Sequence, residues 1–234
     1  MVTVLLIRHG LTDANTGGVL AGWTPGVHLA EKGRAQVDAL ATRLQPVPLA
    51  AIVTSPLDRC VETAAAIAAS RNGIKPTVDE RVGECRYGDW TGQELKKLVK
   101  DPLWKVVQAH PSGARFPGDG GESLAETQSR AVAAVREWNA KVGEDATYAV
   151  VSHADVIKAI LADALGMHLD QFQRINVDPA SVSVVRYTSL RPFVTRINDT
   201  GGRVDDLLPP KKKTRTRRKS SDAVVGGGTG EAPA

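Results

Sequence analysis

Two histidines and two arginines stand just beyond the ends of three apolar runs in this 234-residue chain. Val2–Ile7 runs into Arg8-His9-Gly10, Thr147–Ser152 into His153-Ala154, and Leu49–Thr54 through Ser55-Pro56-Leu57-Asp58 to Arg59. In an open α/β sheet, ligands bind outside the carboxyl ends of the strands. Three strand ends of that kind converge two imidazoles and two guanidiniums on one edge. Each guanidinium offers a planar fork of donors matched to phosphate oxygens. Phosphoryl transfer is governed by positioning and by neutralising the equatorial oxygens, so this set suits a phosphate ester. Two neighbouring positive charges also disfavour imidazolium at His9, which keeps its attacking nitrogen unprotonated near neutral pH.

The elements that must hold these groups alternate along the chain. The three runs read as strands covered on both faces. Glu31–Leu44, Leu57–Ala69 and Asp155–Leu165 read as helices, the last stopping at Gly166. Ser123 and Glu126 have capping-box spacing ahead of a helix over Glu122–Val142. Ser181–Tyr187 and Pro192–Ile197 read as closing strands, antiparallel at an edge. Strands alternating with helices predict an α/β fold, a three-layer αβα sandwich around a mostly parallel sheet. Residues 86–121 are less regular and contain Pro102, Pro111 and Pro117, which suits an insertion or lid over a site.

Composition bounds the rest. The net charge of +4 comes from a short segment, because Lys211–Lys219 carries seven basic residues and 209–234 only two acids, Asp222 and Glu231. The body is left with 23 basic and 24 acidic residues. Residues 1–208 then form one catalytic domain and 209–234 a basic, Gly-rich tail, disordered by composition. Such a tail touches polyanions weakly and without sequence preference. Aromatic residues at 4% exclude a stacking surface for single-stranded nucleic acid. Cys60 and Cys85 have no metal-ligand spacing and suit a reduced compartment. The N-terminus lacks a basic leader and no segment reaches membrane-spanning length, so a cytoplasmic protein without a membrane partner is expected.

Read together, these motifs resemble the histidine phosphatase superfamily, the phosphoglycerate-mutase-like proteins. The family's R-H-G-x-T-x-x-N signature stands as Arg8-His9-Gly10-Leu11-Thr12-Asp13-Ala14-Asn15, and its second arginine motif as Ser55 through Ala64. Its acid motif stands as Glu84-Cys85-Arg86-Tyr87-Gly88-Asp89-Trp90-Thr91-Gly92. Its closing S-H-G is here Ser152-His153-Ala154, with alanine for glycine. Order and spacing agree over about residues 1–190. The resemblance implies a phosphoglycerate-mutase-like fold and a phosphatase that acts on a small phosphorylated metabolite. It makes His9 the nucleophile and Glu84 the proton donor. Arg8, Asn15, Arg59, His153 and the amide of Ala154 hold the phosphate. It implies no cofactor and no metal, and no H-E-x-x-H or C-x-x-C pattern points to one.

Two other readings stay open at this level. Mutases of the family follow the acid with a leucine where Trp90 stands, and Trp90 with the shorter chain favours the phosphatase branch. A catalytically silent relative that binds through its basic tail is the other, and intact Arg8, His9, Arg59, Glu84 and His153 argue against it. Asp79 and Glu80 compete with Glu84 as the acid, and spacing to Gly88, Trp90 and Gly92 favours Glu84. His28, His110 and His168 read as ordinary surface or core residues, Cys60 and Cys85 as small buried thiols, and Asp155 as a helix cap. The oligomeric state is left open, with a dimer among the candidates.

Overall fold

The first strand, β1 (Val2–Arg8), divides its side chains between two cores in the computed structural model, which describes residues 1–69, 71 and 73–201. Val4 and Leu6 enter one core, and Leu5 and Ile7 enter the other. Alternate residues of a strand point to opposite faces, so a strand apolar throughout must be covered twice. The remaining strands are β2 (Ile52–Thr54), β3 (Thr77–Val78), β4 (Thr147–Ser152), β5 (Val182–Tyr187) and β6 (Pro192–Asp199). They form one six-stranded sheet in the order β3-β2-β4-β1-β5-β6. The pairs among β1 to β4 are parallel, while β5 and β6 close the far edge antiparallel.

The helices are α1 (Asp13–Thr16), α2 (Glu31–Leu44), α3 (Asp58–Ala69), α4 (Leu95–Leu98), α5 (Pro102–Ala109), α6 (Leu124–Val142) and α7 (Ala154–Ala164). Val37, Leu40 and Ile67 of α2 and α3 join Leu5 and Ile7 on one face. Ala131, Val135, Ile157 and Ile160 of α6 and α7 join Val4 and Leu6 on the other. The result is the expected three-layer α/β arrangement. The capping box of α6 forms as its spacing predicts: Ser123 Oγ accepts from the Glu126 amide while Glu126 accepts from the Ser123 amide.

Residues 86–121 pack against the body of the domain. Trp90 and Trp104 stack with centroids 6.1 Å apart, Phe116 meets Trp90 at 5.4 Å, and all three join the core that Leu6 enters. Pro102 starts α5 behind the Asp101 cap, where proline's missing donor costs nothing. The segment lacks periodicity because its elements are short, not because it is loosely held.

Gly10 holds the end of β1 close to a neighbouring helix. Its φ is not positive, and its glycine is required by close approach: a Cβ there would lie 2.7 Å from the carbonyl oxygen of Gly33 and from Val37 Cγ2. The first strand end is thereby pressed against α2, which fixes where His9 begins. The basic run and the Gly-rich end lie outside the described residues, as do 202–208.

Candidate active site

Backbone register brings the predicted groups to one edge. Arg8 pairs with Ser152 between β1 and β4, the His9 amide donates to the Ser152 carbonyl at 3.1 Å, and the Ser55 amide donates to the Val151 carbonyl at 3.0 Å. Three carboxyl ends of adjacent parallel strands therefore lie side by side. A narrow cleft opens there, lined by His9, Thr12, Asn15, Arg59 and Glu84 on its polar side. Val19, Leu20, Ala21 and Leu95 line its apolar side.

His9 is 3% exposed, and its Nδ1 donates to the Gly10 carbonyl at 2.7 Å. That bond fixes the proton on Nδ1 and leaves Nε2 as the free base. Burial holds His9 well below the ordinary histidine range, with the Arg59 and Arg8 charges acting the same way. The two arginine charges act in the expected direction, and loss of water is the larger cause. The rings of His9 and His153 lie edge to face with centroids 5.3 Å apart.

The two arginines are held differently. Arg8 is fully buried, donates from Nη1 to the Val177 carbonyl at 2.8 Å, and is lowered by burial to about 10, so it stays charged at pH 7. Arg59, in the first turn of α3, donates from Nη2 to the Gly22 carbonyl at 2.9 Å. Its buried Nη1 has no partner among the described residues. A buried guanidinium donor without an acceptor is costly unless an anion completes it.

Asn15 and Ala154 belong to helix starts. Thr12 and Asn15 form a capping box in which Asn15 Oδ1 accepts from the Thr12 amide at 3.1 Å and from Thr12 Oγ1 at 2.9 Å. With its oxygen engaged in the cap, Asn15 also lines the cleft. Ala154 is the first residue of α7, is buried, and has no positive φ. Alanine therefore fits where the family usually has glycine, because the backbone there needs no positive φ.

Glu84 lies across the cleft, 4% exposed, with Oε1 accepting from the Cys85 amide at 3.0 Å and Oε2 3.7 Å from His153 Nδ1. Burial pushes its carboxyl up to about 7, and the Asp155 charge adds to this against the pull of Arg59. Its competitors are elsewhere. Asp79 accepts from Arg81 and from Trp138 Nε1, and the Glu80 side chain is 73% exposed. His28, His110 and His168 are exposed, and Cys60 and Cys85 are buried free thiols.

Four contacts escaped the sequence reading. Ser55 Oγ lies 2.8 Å from His153 Nε2, a pairing across 98 residues. Arg130 of α6 donates to the carbonyls of Arg81, Gly83 and Glu84 while its guanidinium pairs with Glu122, which fixes the loop that carries the acid. Trp23 Nε1 donates to the same Glu84 carbonyl at 2.6 Å. Asp155 is not a cap: His153 occupies the cap position of α7, and Asp155 is buried, accepts from the Tyr87 hydroxyl at 3.0 Å and lies 3.5 Å from Lys158 Nζ. Burial of the first turn of α7 takes Asp155 out of solvent, which a one-dimensional reading of a helix start does not reveal. Among the described residues no group of three or more His, Cys, Asp or Glu could hold a metal ion, and no helix is long and apolar enough to cross a membrane.

Several known proteins are similar to this chain in sequence or fold. Phosphoserine phosphatase 1 of Hydrogenobacter thermophilus is 30% identical over 208 residues, covering 86% of this chain and 93% of that protein. Glucosyl-3-phosphoglycerate phosphatase of Mycolicibacterium vanbaalenii is 31% identical over 177 residues, covering 72% and 76%. A 2,3-bisphosphoglycerate-dependent phosphoglycerate mutase 2 of Gloeobacter violaceus is 28% identical over 181 residues, covering 76% and 82%. The solved structure of Bacillus stearothermophilus YhfR superposes with a TM-score of 0.78 at 30% identity, covering 85% of this chain and 98% of that one. The sequence profile of the histidine phosphatase superfamily (branch 1) matches residues 4–200, a span that contains every group of the cleft. With two strand-end histidines, two buried arginines and a buried glutamic acid on one edge of this sheet, the chain belongs to the histidine phosphatase superfamily, branch 1.

Proposed function

We propose that the chain is a phosphatase that hydrolyses the monoester of a small phosphorylated metabolite through a phosphohistidine on His9. The observation that carries this reading is His9 itself, with Nδ1 bound to the Gly10 carbonyl and Nε2 left basic beside two guanidiniums. In the first step His9 Nε2 attacks phosphorus and the bond to the ester oxygen breaks. Protonated Glu84 gives its proton to the departing alkoxide, which leaves as the alcohol. In the second step ionised Glu84 takes a proton from water, water oxygen bonds to phosphorus, and the P–N bond breaks to release phosphate. Arg8, Arg59, Asn15, His153 and the Ala154 amide bind the phosphoryl oxygens in both steps. Residues 1–208 act as the catalytic domain, with 86–121 supplying part of the cover through Leu95.

These cations and donors neutralise the phosphoryl group without a metal, so chelator is expected to leave the rate nearly unchanged. Vanadate, a mimic of five-coordinate phosphorus, is expected to inhibit. Phosphate release measured with and without each reagent checks both, and activity lost to chelator but restored by magnesium or zinc would contradict the reading.

Ser55 is a positioning residue in this scheme. Its hydroxyl hydrogen-bonds His153 Nε2 at 2.8 Å and so fixes the ring with Nδ1 on the side of Glu84 and Arg59. Ser55→Ala is expected to lower kcat by about 10-fold, the value of one such hydrogen bond, with little change in KM. Ser55→Thr is expected to keep most of the rate. An unchanged kcat in Ser55→Ala would remove Ser55 from the mechanism.

A further inference from the structure

We propose that Asp155 is a positioning residue for the proton donor: Tyr87 and Lys158 hold it as a buried negative charge behind Glu84, which keeps the donor loaded with the proton that the first step uses. The inference rests on the phosphatase reading above and concerns a residue that does not line the cleft.

Two segments carry these groups, and they meet twice. His153 and Asp155 open α7, while Glu84 and Tyr87 lie three residues apart in the loop that carries the acid. Glu84 Oε2 lies 3.7 Å from His153 Nδ1, and the Tyr87 hydroxyl donates to Asp155 Oδ2 at 3.0 Å. The Tyr87 ring is fully buried and meets Phe116 edge to face at 4.8 Å, so the second contact is as fixed as the first. Burying a charge is costly unless it is paired and hydrogen-bonded. Asp155 is 1% exposed and has both, since Lys158 Nζ lies 3.5 Å away, one helical turn on. Lys158 is also buried and donates to Gln173 Oε1 at 3.1 Å. Well-packed apolar residues can often replace a buried ion pair without loss of stability, so the charge at Asp155 calls for a use beyond packing.

The reaction needs two guanidiniums for the phosphate and a protonated carboxyl beside them, and the first works against the second. A nearby like charge disfavours the ionised form of a carboxyl, and a nearby cation favours it. Burial is the largest influence that raises the Glu84 carboxyl, and the Asp155 charge comes next. Arg59 of α3, the Cys85 amide and Arg8 of β1 oppose them. The other titratable groups around Glu84 stay neutral near pH 7. His9 and His153 are held well below the ordinary histidine range, the Cys60 thiol is pushed up to about 12, and Cys85 and Tyr87 are raised further still, in each case chiefly by burial. Asp155 itself faces Lys158, Arg8 and Tyr87 as well as Glu84. It therefore offsets the phosphate-binding cations at the donor without entering the phosphate site.

The pH dependence of kcat/KM for ethyl phosphate and nitrophenyl phosphate, measured on the full-length chain and its variants, tests this. On ethyl phosphate the rate of the parent is expected to fall at alkaline pH as Glu84 ionises. Asp155→Asn keeps the size of the side chain and an acceptor for Tyr87 but removes the charge. It is expected to move that fall down by about one pH unit, a loss of about 10-fold on the alkaline side. The loss on nitrophenyl phosphate, whose phenolate leaves without a proton, is expected to be smaller. Tyr87→Phe keeps the ring and the Asp155 charge, so the fall is expected to stay where it is in the parent. An unmoved fall in folded Asp155→Asn, an equal downward move in Tyr87→Phe, or equal losses on both esters at every pH overturns the inference. Asp155→Ser, also neutral, carries the same test if the Asn variant does not fold. If the parent hydrolyses both esters and the fall does not move, only the role of Asp155 is lost. If the parent hydrolyses neither, the phosphatase reading falls and takes the inference with it.

Discussion

His9→Ala is expected to lower phosphate release by on the order of 10⁴-fold or more while the protein stays folded, because removing a covalent nucleophile collapses both half-reactions. The substitution empties volume at a strand end that is tied down independently of the ring. The His9 amide still donates to Ser152, and Gly10 still packs against Gly33. Far-ultraviolet circular dichroism and the melting temperature check the fold, and phosphate release from an alkyl ester checks activity. A folded variant with more than a trace of turnover would mean that water attacks the ester directly. Binding should persist, since Arg8 and Arg59 remain in place, so vanadate or phosphate is expected still to raise the melting temperature of the variant.

Glu84→Gln is expected to slow alkyl esters by about 10²–10⁴-fold and an activated aryl ester far less, because a phenolate leaves without a proton. The pH dependence follows from the same group. Burial and Asp155 hold the Glu84 carboxyl at about 7, so the acid form is present below that value and is lost as pH rises through it. On alkyl esters kcat/KM should therefore fall above pH about 7, and the fall should disappear in Glu84→Gln. His9 remains neutral across this range because its imidazolium is disfavoured, so it adds no competing limb near neutrality. Equal losses on alkyl and aryl esters, or an alkaline limb that survives the substitution, would take the proton-donor role from Glu84.

The parts of the fold that were legible in the sequence are those with a strong local signal. β1 and β4 are continuous apolar runs, α6 begins at a capping box, and β5 with β6 alternates enough to be read as a closing pair. The two-residue strand β3 was not legible, since Thr77 and Val78 are exposed and make only edge pairs with Val53 and Thr54. Residues 86–121 read as irregular for the same reason: α4 and α5 are four and eight residues long, too short for periodicity to declare itself.

At the site, His9, His153, Arg8 and Arg59 were legible because strand ends in a parallel sheet converge by topology alone. What stayed hidden depends on contacts between distant residues. Ser55 and His153 meet only when β2 and β4 are paired, and Arg130 reaches the Glu84 loop from α6. Asp155 carries the signature of a helix-start acid, yet it is buried beneath Tyr87 and sets part of the electrostatics of Glu84. In each case residue type was informative and the third dimension supplied the partner.

The central claim is a covalent bond between phosphorus and His9 Nε2, and trapping it is the most direct measurement. The full-length chain would be mixed with an ester labelled in its phosphoryl group, quenched with alkali within the first turnover, digested, and the labelled peptide sequenced. The account predicts label on the peptide that contains His9, stable to alkali and lost in acid as expected for a phosphoramidate. It also predicts no label in His9→Ala. Label on another residue, or steady-state hydrolysis of the ester with no labelled protein at any quench time, would contradict it.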